Sequence, residues 1–212
     1  RSLLILFIPL LILTGCGGNQ PYVIKEASTV GSVGSSTVVV IVDQRPEDDK
    51  KFSFGSMLVF NDSYGIWTLG DTQFSPELPE LLKSRVHKQL ATLDAQPKRV
   101  EITLNRMIIQ SNHQADLLQS VSTNGSLGPL GVLIAETMHG KEFELDYDKT
   151  RPFVMGLIKA DIRIEPQQGD IQEQSVFISK IENFSHHMDF KGREKAAINV
   201  ATELADNFAT SF

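Results

Sequence analysis

One cysteine, Cys16, stands in 212 residues, so no disulfide can close within the chain whatever compartment it occupies. Positive charge is also short. Twenty Lys and Arg face 26 Asp and Glu, a net charge of −6. Binding to nucleic acid or to anionic head groups needs concentrated Lys and Arg, and this composition supports neither. Catalytic signatures are missing as well. There is no Gly-x-Ser-x-Gly elbow, and Gly140-Lys141 is followed by Glu142 with no glycine at phosphate-loop spacing. His186 and His187 are adjacent, with Asp189 two residues on and His87, His113 and His139 elsewhere, but none has the spacing of a metal-ligand set. Neighbours on a strand point to opposite faces, so a structural or solvent role is the expected one. The chain is expected not to be an enzyme and to hold no metal.

What is present begins with residues 3–13, an almost wholly apolar run interrupted by Pro9. It has the length of a signal-peptide core and falls well short of the roughly 20 residues a membrane-spanning helix needs. Arg1 is its only basic flank, with no Met, so a longer leader is expected to precede it. The run closes in Leu13-Thr14-Gly15-Cys16 and gives way to Gly17, Gly18, Asn19, Gln20 and Pro21, which no buried core helix would do. Thr14 and Gly15 are small and leave the backbone open to a peptidase, and the Cys16 thiol is a strong nucleophile.

This closure resembles the lipobox of bacterial lipoproteins. The resemblance implies a diacylglyceryl thioether on Cys16, cleavage between Gly15 and Cys16, and acylation (palmitate, for example) of the new amino group. Gly17 after the cysteine, by the sorting pattern of enteric bacteria, implies the outer membrane. Two or three acyl chains hold a protein where one binds only marginally, at about 0.8 kcal/mol per methylene. Loss of residues 1–15 would leave 19 basic and 26 acidic residues, a net charge of −7 on 197 residues, enough for one domain.

Residues 16–36 are rich in Gly, Ser, Thr and Asn, with Tyr22, Val23 and Ile24 their main apolar content, and read as a flexible tether. Residues 37–212 read as a single α+β domain. Residues 37–42 predict a strand buried on both faces, hence a central one. Residues 57–60 and 66–69 predict a hairpin turning at 61–65. Ser75-Pro76-Glu77 carries the signals of a helix start, and Leu78, Leu81, Leu82, Val86, Leu90 and Leu93 follow at helical spacing. A strand is predicted over 100–109, its phase shifting at Arg106-Met107. Residues 112–150 read as an insertion or long loop with a short helix near 132–138. In 153–165, Ile158, Ala160, Ile162 and Ile164 alternate with Lys159, Asp161, Arg163 and Glu165, as in a sheet packed on one face and wet on the other. A return strand over 175–181 and a helix over 190–209 complete the order. A short mixed, largely antiparallel sheet with two helices on one face buries every apolar stripe.

Asp43 and Arg45 share a strand side and predict an ion pair that ties down the following loop, while the charged residues 47–51 read as a solvated loop. Phe52, Phe54, Tyr64 and Trp67 crowd the hairpin, and Leu127, Leu130 and Val132 the insertion. Trp67, Tyr64 and Leu130 are the candidate partner contacts, although core packing is the simpler role for Trp67.

The apolar strand ending in Asp43-Gln44-Arg45, together with the hairpin, polar turn and leucine-striped helix of 57–93, resembles the YajG-type family of bacterial outer-membrane lipoproteins. The late strand pair and Ala-rich final helix fall in that family's order, though 112–150 is longer than the family needs. The resemblance implies an α/β lipoprotein domain on the periplasmic face of the outer membrane and supplies no active site. The expected function is binding of an envelope protein partner or help in envelope assembly; the alternative is carriage of a lipid or small apolar ligand between membranes.

Overall fold

The computed structural model describes residues 21–25, 36–59, 62–112, 151–186 and 189–212. Its organising strand is β6 (Arg99–Asn112), 14 residues long. One edge of β6 pairs antiparallel with β7 (Phe153–Glu165), which pairs in turn with β8 (Gln172–Asn183). The other edge is divided. β2 (Val38–Asp43) lies parallel along Arg99 to Leu104, and β4 (Asp62–Leu69) lies antiparallel along Ile109 to Asn112. β3 (Ser53–Val59) closes the sheet as the hairpin partner of β4. A bulge between Leu104 and Arg106 explains the expected phase shift. One extra residue reverses the alternation, so Val100, Ile102 and Leu104 before it and Met107 and Ile109 after it all enter the same core.

Two helices cover that face: α2 (Leu78–Leu90) and α3 (Phe190–Ala209), with α1 (Glu47–Lys50) a single turn at the bulge. The fold is α+β, with α2 and α3 on one face of a mixed sheet. From α2, Leu78, Leu81, Leu82, Val86 and Leu90 are buried; from α3, Ala197, Val200, Ala201, Leu204 and Phe208. Each large apolar side chain removed from water contributes about 1.5–3 kcal/mol, which makes this layer the main source of stability. Alanines let α3 approach the sheet closely, and β7 answers with Gly156, where a Cβ would lie 2.6 Å from Val200 Cγ1 and nearer still to Leu204 Cδ1.

Several expectations are corrected. β2 is an edge strand: among the described residues it pairs with β6 alone, and Val38 is 56% exposed. Its unbroken Val and Ile content suits a strand whose one face packs on α2 as well as it suits a central one. The hairpin turn is tighter than expected, because Val59 pairs with Asp62 and Asp62 to Gly65 lie in the strand. Ser75 does not cap α2. It pairs with Val23 in β5 (Phe74–Ser75), the Ser75–Pro76 peptide is cis, and the N-cap is Glu77, with no side-chain bond. Within the segment expected to be a tether, β1 (Tyr22–Val23) lies parallel to β5, Tyr22 meets Phe74 edge to face, and Ile24 is buried. Those three residues are the segment's main apolar content, and two of them, Tyr22 and Ile24, pack on the core.

The second face of the sheet is wet only in part. Lys159, Asp161 and Arg163 are exposed as expected, but Ile108, Phe153, Met155 and Leu157 on the same face are buried. There β7 is apolar on both sides, from Phe153 through Ile158. The expected insertion, with Leu130, lies outside the described residues.

Candidate functional site

Three groupings of polar or exposed side chains stand on this frame. The first fills the gap that β2 and β4 leave along the edge of β6. Arg45 emerges from the end of β2 with its side chain fully buried. Its Nε and Nη2 donate to the two Asp43 oxygens, both at 2.9 Å. Its Nη1 and Nη2 donate to Asp71, at 2.9 and 2.7 Å, and Nη1 also reaches the Met107 carbonyl at 3.4 Å. Five N–H groups thus make five bonds, and no donor is spare for a ligand. Burial opposes the charge on Arg45, but the bonds to Asp71 and Asp43 outweigh it and raise its pKa. The predicted Asp43–Arg45 pair is present. Asp71 is the partner the sequence did not suggest.

Beside it, α1 corrects the expected solvated loop, because Asp49 is buried and accepts 2.6 and 3.2 Å bonds from Arg106 of the bulge. Burial pushes the Asp49 carboxyl up despite Arg106, whereas the hydrogen bond from Arg45 holds Asp43 below its ordinary 3.8. The two act with opposite sign. Asp43 stabilises the fold above its unfolded value and loses that contribution as pH falls through its depressed folded value. Asp49 favours the fold when protonated, a contribution lost as pH rises through its raised value. In acid titration followed by circular dichroism, Asp43→Asn is therefore expected to be less stable at neutral pH and to lose less stability below pH 4. Parallel losses in both proteins would remove Asp43 from the titrating groups.

The second grouping is the wet half of the sheet. Lys98 meets Glu165 at 2.7 Å and Arg99 meets Glu101 at 2.8 Å. A shallow polar depression of about 290 Å³ is lined by Arg99, Glu101, Arg163 and Glu165. Two positive and two negative groups offset one another, and the hydrogen bond from Lys98 lowers the Glu165 pKa, so it stays charged and offers no proton at neutral pH. This is a solvated cross-strand ladder, not an acid–base pair.

The third sits where β4 meets the start of α3. Asp189 caps that helix, accepting from Gly192 N at 2.8 Å and from Ser185 Oγ. These two bonds lower its pKa, and it caps the helix rather than joining a metal cluster. The cap fixes the first turn, which carries Phe190, 54% exposed, and Arg193. The Arg193 guanidinium lies 4.1 Å from the centroid of Trp67 and 5.3 Å from that of Phe190. Trp67 is half-buried, packing one side on the core as the simpler expectation had it. Tyr64 lies three residues earlier on β4, its backbone paired with Met57. The sequence pointed to Trp67 but not to Arg193 or Phe190, which are 126 and 123 positions away.

Among the described residues no group of three or more His, Cys, Asp or Glu could hold a metal ion, and no helix is long and apolar enough to cross a membrane. His113, His139 and His187 lie outside them, as do Gly15 and Cys16. Comparison with protein-family models and with curated proteins finds no match.

Proposed function

We propose that this chain is a non-enzymatic envelope lipoprotein of the YajG type, held by lipid at Cys16 on the periplasmic face of the outer membrane, and that it binds a protein partner. The anchor rests on the apolar run closed by Leu13-Thr14-Gly15-Cys16. The partner site rests on one observation: Arg193 stacked between Trp67 and a largely exposed Phe190. Trp and Arg dominate the energetics of protein interfaces, and here packing and a helix cap hold them in place before any partner arrives. No cofactor is needed beyond the covalent diacylglycerol and N-acyl lipid.

Carriage of a lipid or small apolar ligand needs space between the sheet and the helices. The close approach of β7 and α3 at Gly156 weighs against it.

The test has two arms in living cells. Cys16→Ser is expected to abolish incorporation of labelled palmitate and to release the chain from the membrane fraction. Continued membrane retention would defeat the anchor. A photo-crosslinking residue at Phe190 or Lys191 is expected to capture one and the same protein, with Lys88 on α2 as the silent control and with loss of capture in Trp67→Ala. Silence at both positions would defeat the partner site without touching the anchor.

A further inference from the structure

Among the described residues, four arginines are not exposed, and Arg193 differs from the other three. Arg45 holds Asp43 and Asp71, Arg106 holds Asp49 at 2.6 Å, and Arg85 holds Asp206 at 3.3 Å. No carboxylate among the described residues pairs with Arg193, and its buried Nε has no hydrogen-bond partner. The positions that face it along α3 are Phe190 behind and Ala196 and Ala197 ahead. Asp189, at the cap, spends its carboxylate on Gly192 N and Ser185 Oγ. Lys191 adds a second cation, so the first turn carries two positive charges and no acid, the reverse of what the helix dipole favours.

We infer that the partner segment bound here presents an Asp or Glu side chain to the Arg193 guanidinium, with an apolar side chain beside it on Phe190. This rests on reading Trp67, Phe190 and Arg193 as the partner site, and it supplies the chemistry of that site. A guanidinium over a ring spends no hydrogen-bond donor on it, so its fork stays available to a carboxylate. With Nε buried, the two Nη groups are left to make that contact. The rings also keep water from part of the guanidinium, which strengthens a charge pair formed there.

Long-range charge points the same way. The chain carries a net charge of −6, so an acidic segment is repelled by most of the surface and drawn to this cationic turn. Anionic lipid head groups are a poor alternative, because they need a cluster of Lys and Arg that one arginine and one lysine do not make. Phe190, 54% exposed, gives the segment's apolar neighbour a surface that head groups would not use.

The test uses the full chain in living cells with p-benzoylphenylalanine at position 190, which keeps a ring there. Mass spectrometry is expected to place the crosslink within about three residues of an Asp or Glu of the captured protein, a span of roughly 10 Å. Arg193→Gln is expected to cut the yield about tenfold. Lys191→Gln, which removes an equal charge, should cut it by less than about twofold. Changing the captured protein's acid to Arg is expected to match the loss in Arg193→Gln, and this arm leaves the fold of the present chain untouched. Combining that change with Arg193→Glu should restore capture. Unchanged yield in Arg193→Gln, equal losses in Arg193→Gln and Lys191→Gln, or a captured segment with no acid would overturn the carboxylate and leave the partner site standing. So would crosslinks at 190 to phospholipid, or silence at 190 with capture at 191. Silence at both positions would overturn the partner site together with its chemistry.

Discussion

Arg45→Met is expected to destabilise the fold by about 3 kcal/mol or more, read as a fall of roughly 1–2 M in the urea midpoint at unchanged slope. Methionine keeps the length of the side chain and removes all five donors. Asp71 then loses the guanidinium, Asp43 keeps only Lys50 at 3.6 Å, and the Met107 carbonyl loses its side-chain donor. Asp43 is one-third exposed and can rehydrate, but Asp71 is 13% exposed and has little access to water. That difference sets the effect near the lower end of the 3–5 kcal/mol typical when one partner of a buried pair is removed. Arg45→Lys is expected to recover only part of the loss, since three donors on a point charge cannot bond two carboxylates bidentately. A loss below about 1 kcal/mol in Arg45→Met would show that the two half-strands on β6 hold together without this residue.

Gly156→Ala should be nearly as damaging, about 1–3 kcal/mol, for the opposite reason. Here a single methyl group is too much. Its Cβ would lie 2.6 Å from Val200 Cγ1, so α3 must lift from β7 or its side chains must leave their rotamers. Leu204→Ala alone should cost about 2–5 kcal/mol as a cavity. In the double variant the new methyl occupies part of that cavity, and the combined cost should fall below the sum by at least 1 kcal/mol. Additive costs within 0.5 kcal/mol in urea titrations would show that the layers are not in contact at this point.

These two residues mark how far the sequence could be read. Features with a local period were legible. The leucine stripe of α2, the alanine-rich face of α3 and the change of phase at Arg106 each recur at a spacing that a single element imposes. Gly156 carried no such signal, because its need for glycine comes from a helix more than 40 positions later. Asp71 was missed for the same reason, since it meets Arg45 only because β4 and β2 abut on β6. Local signals also misled where tertiary pairing took their groups. Ser75, well placed as a cap, is paired with Val23, and Pro79 rather than Pro76 fills the first turn of α2. Of the candidate site, Trp67 stood out by rarity alone. Its companions on α3 became visible only once the Asp189 cap had set the helix against β4.

The two-residue pairing of β1 with β5 has a mechanical consequence. For a chain held at Cys16, Tyr22 is six residues on, a contour of roughly 20 Å when drawn straight. The next fixed point is Val38 at the start of β2, 22 residues on and roughly 75 Å away. Two leash lengths are therefore available, separated by one short strand held by a few hydrogen bonds and by Tyr22 and Ile24. If Cys16 is lipidated as proposed, tension on that anchor would meet β1 before the core, and release of β1 would lengthen the link to the bilayer from the shorter contour to the longer one while β2 and β6 stay paired.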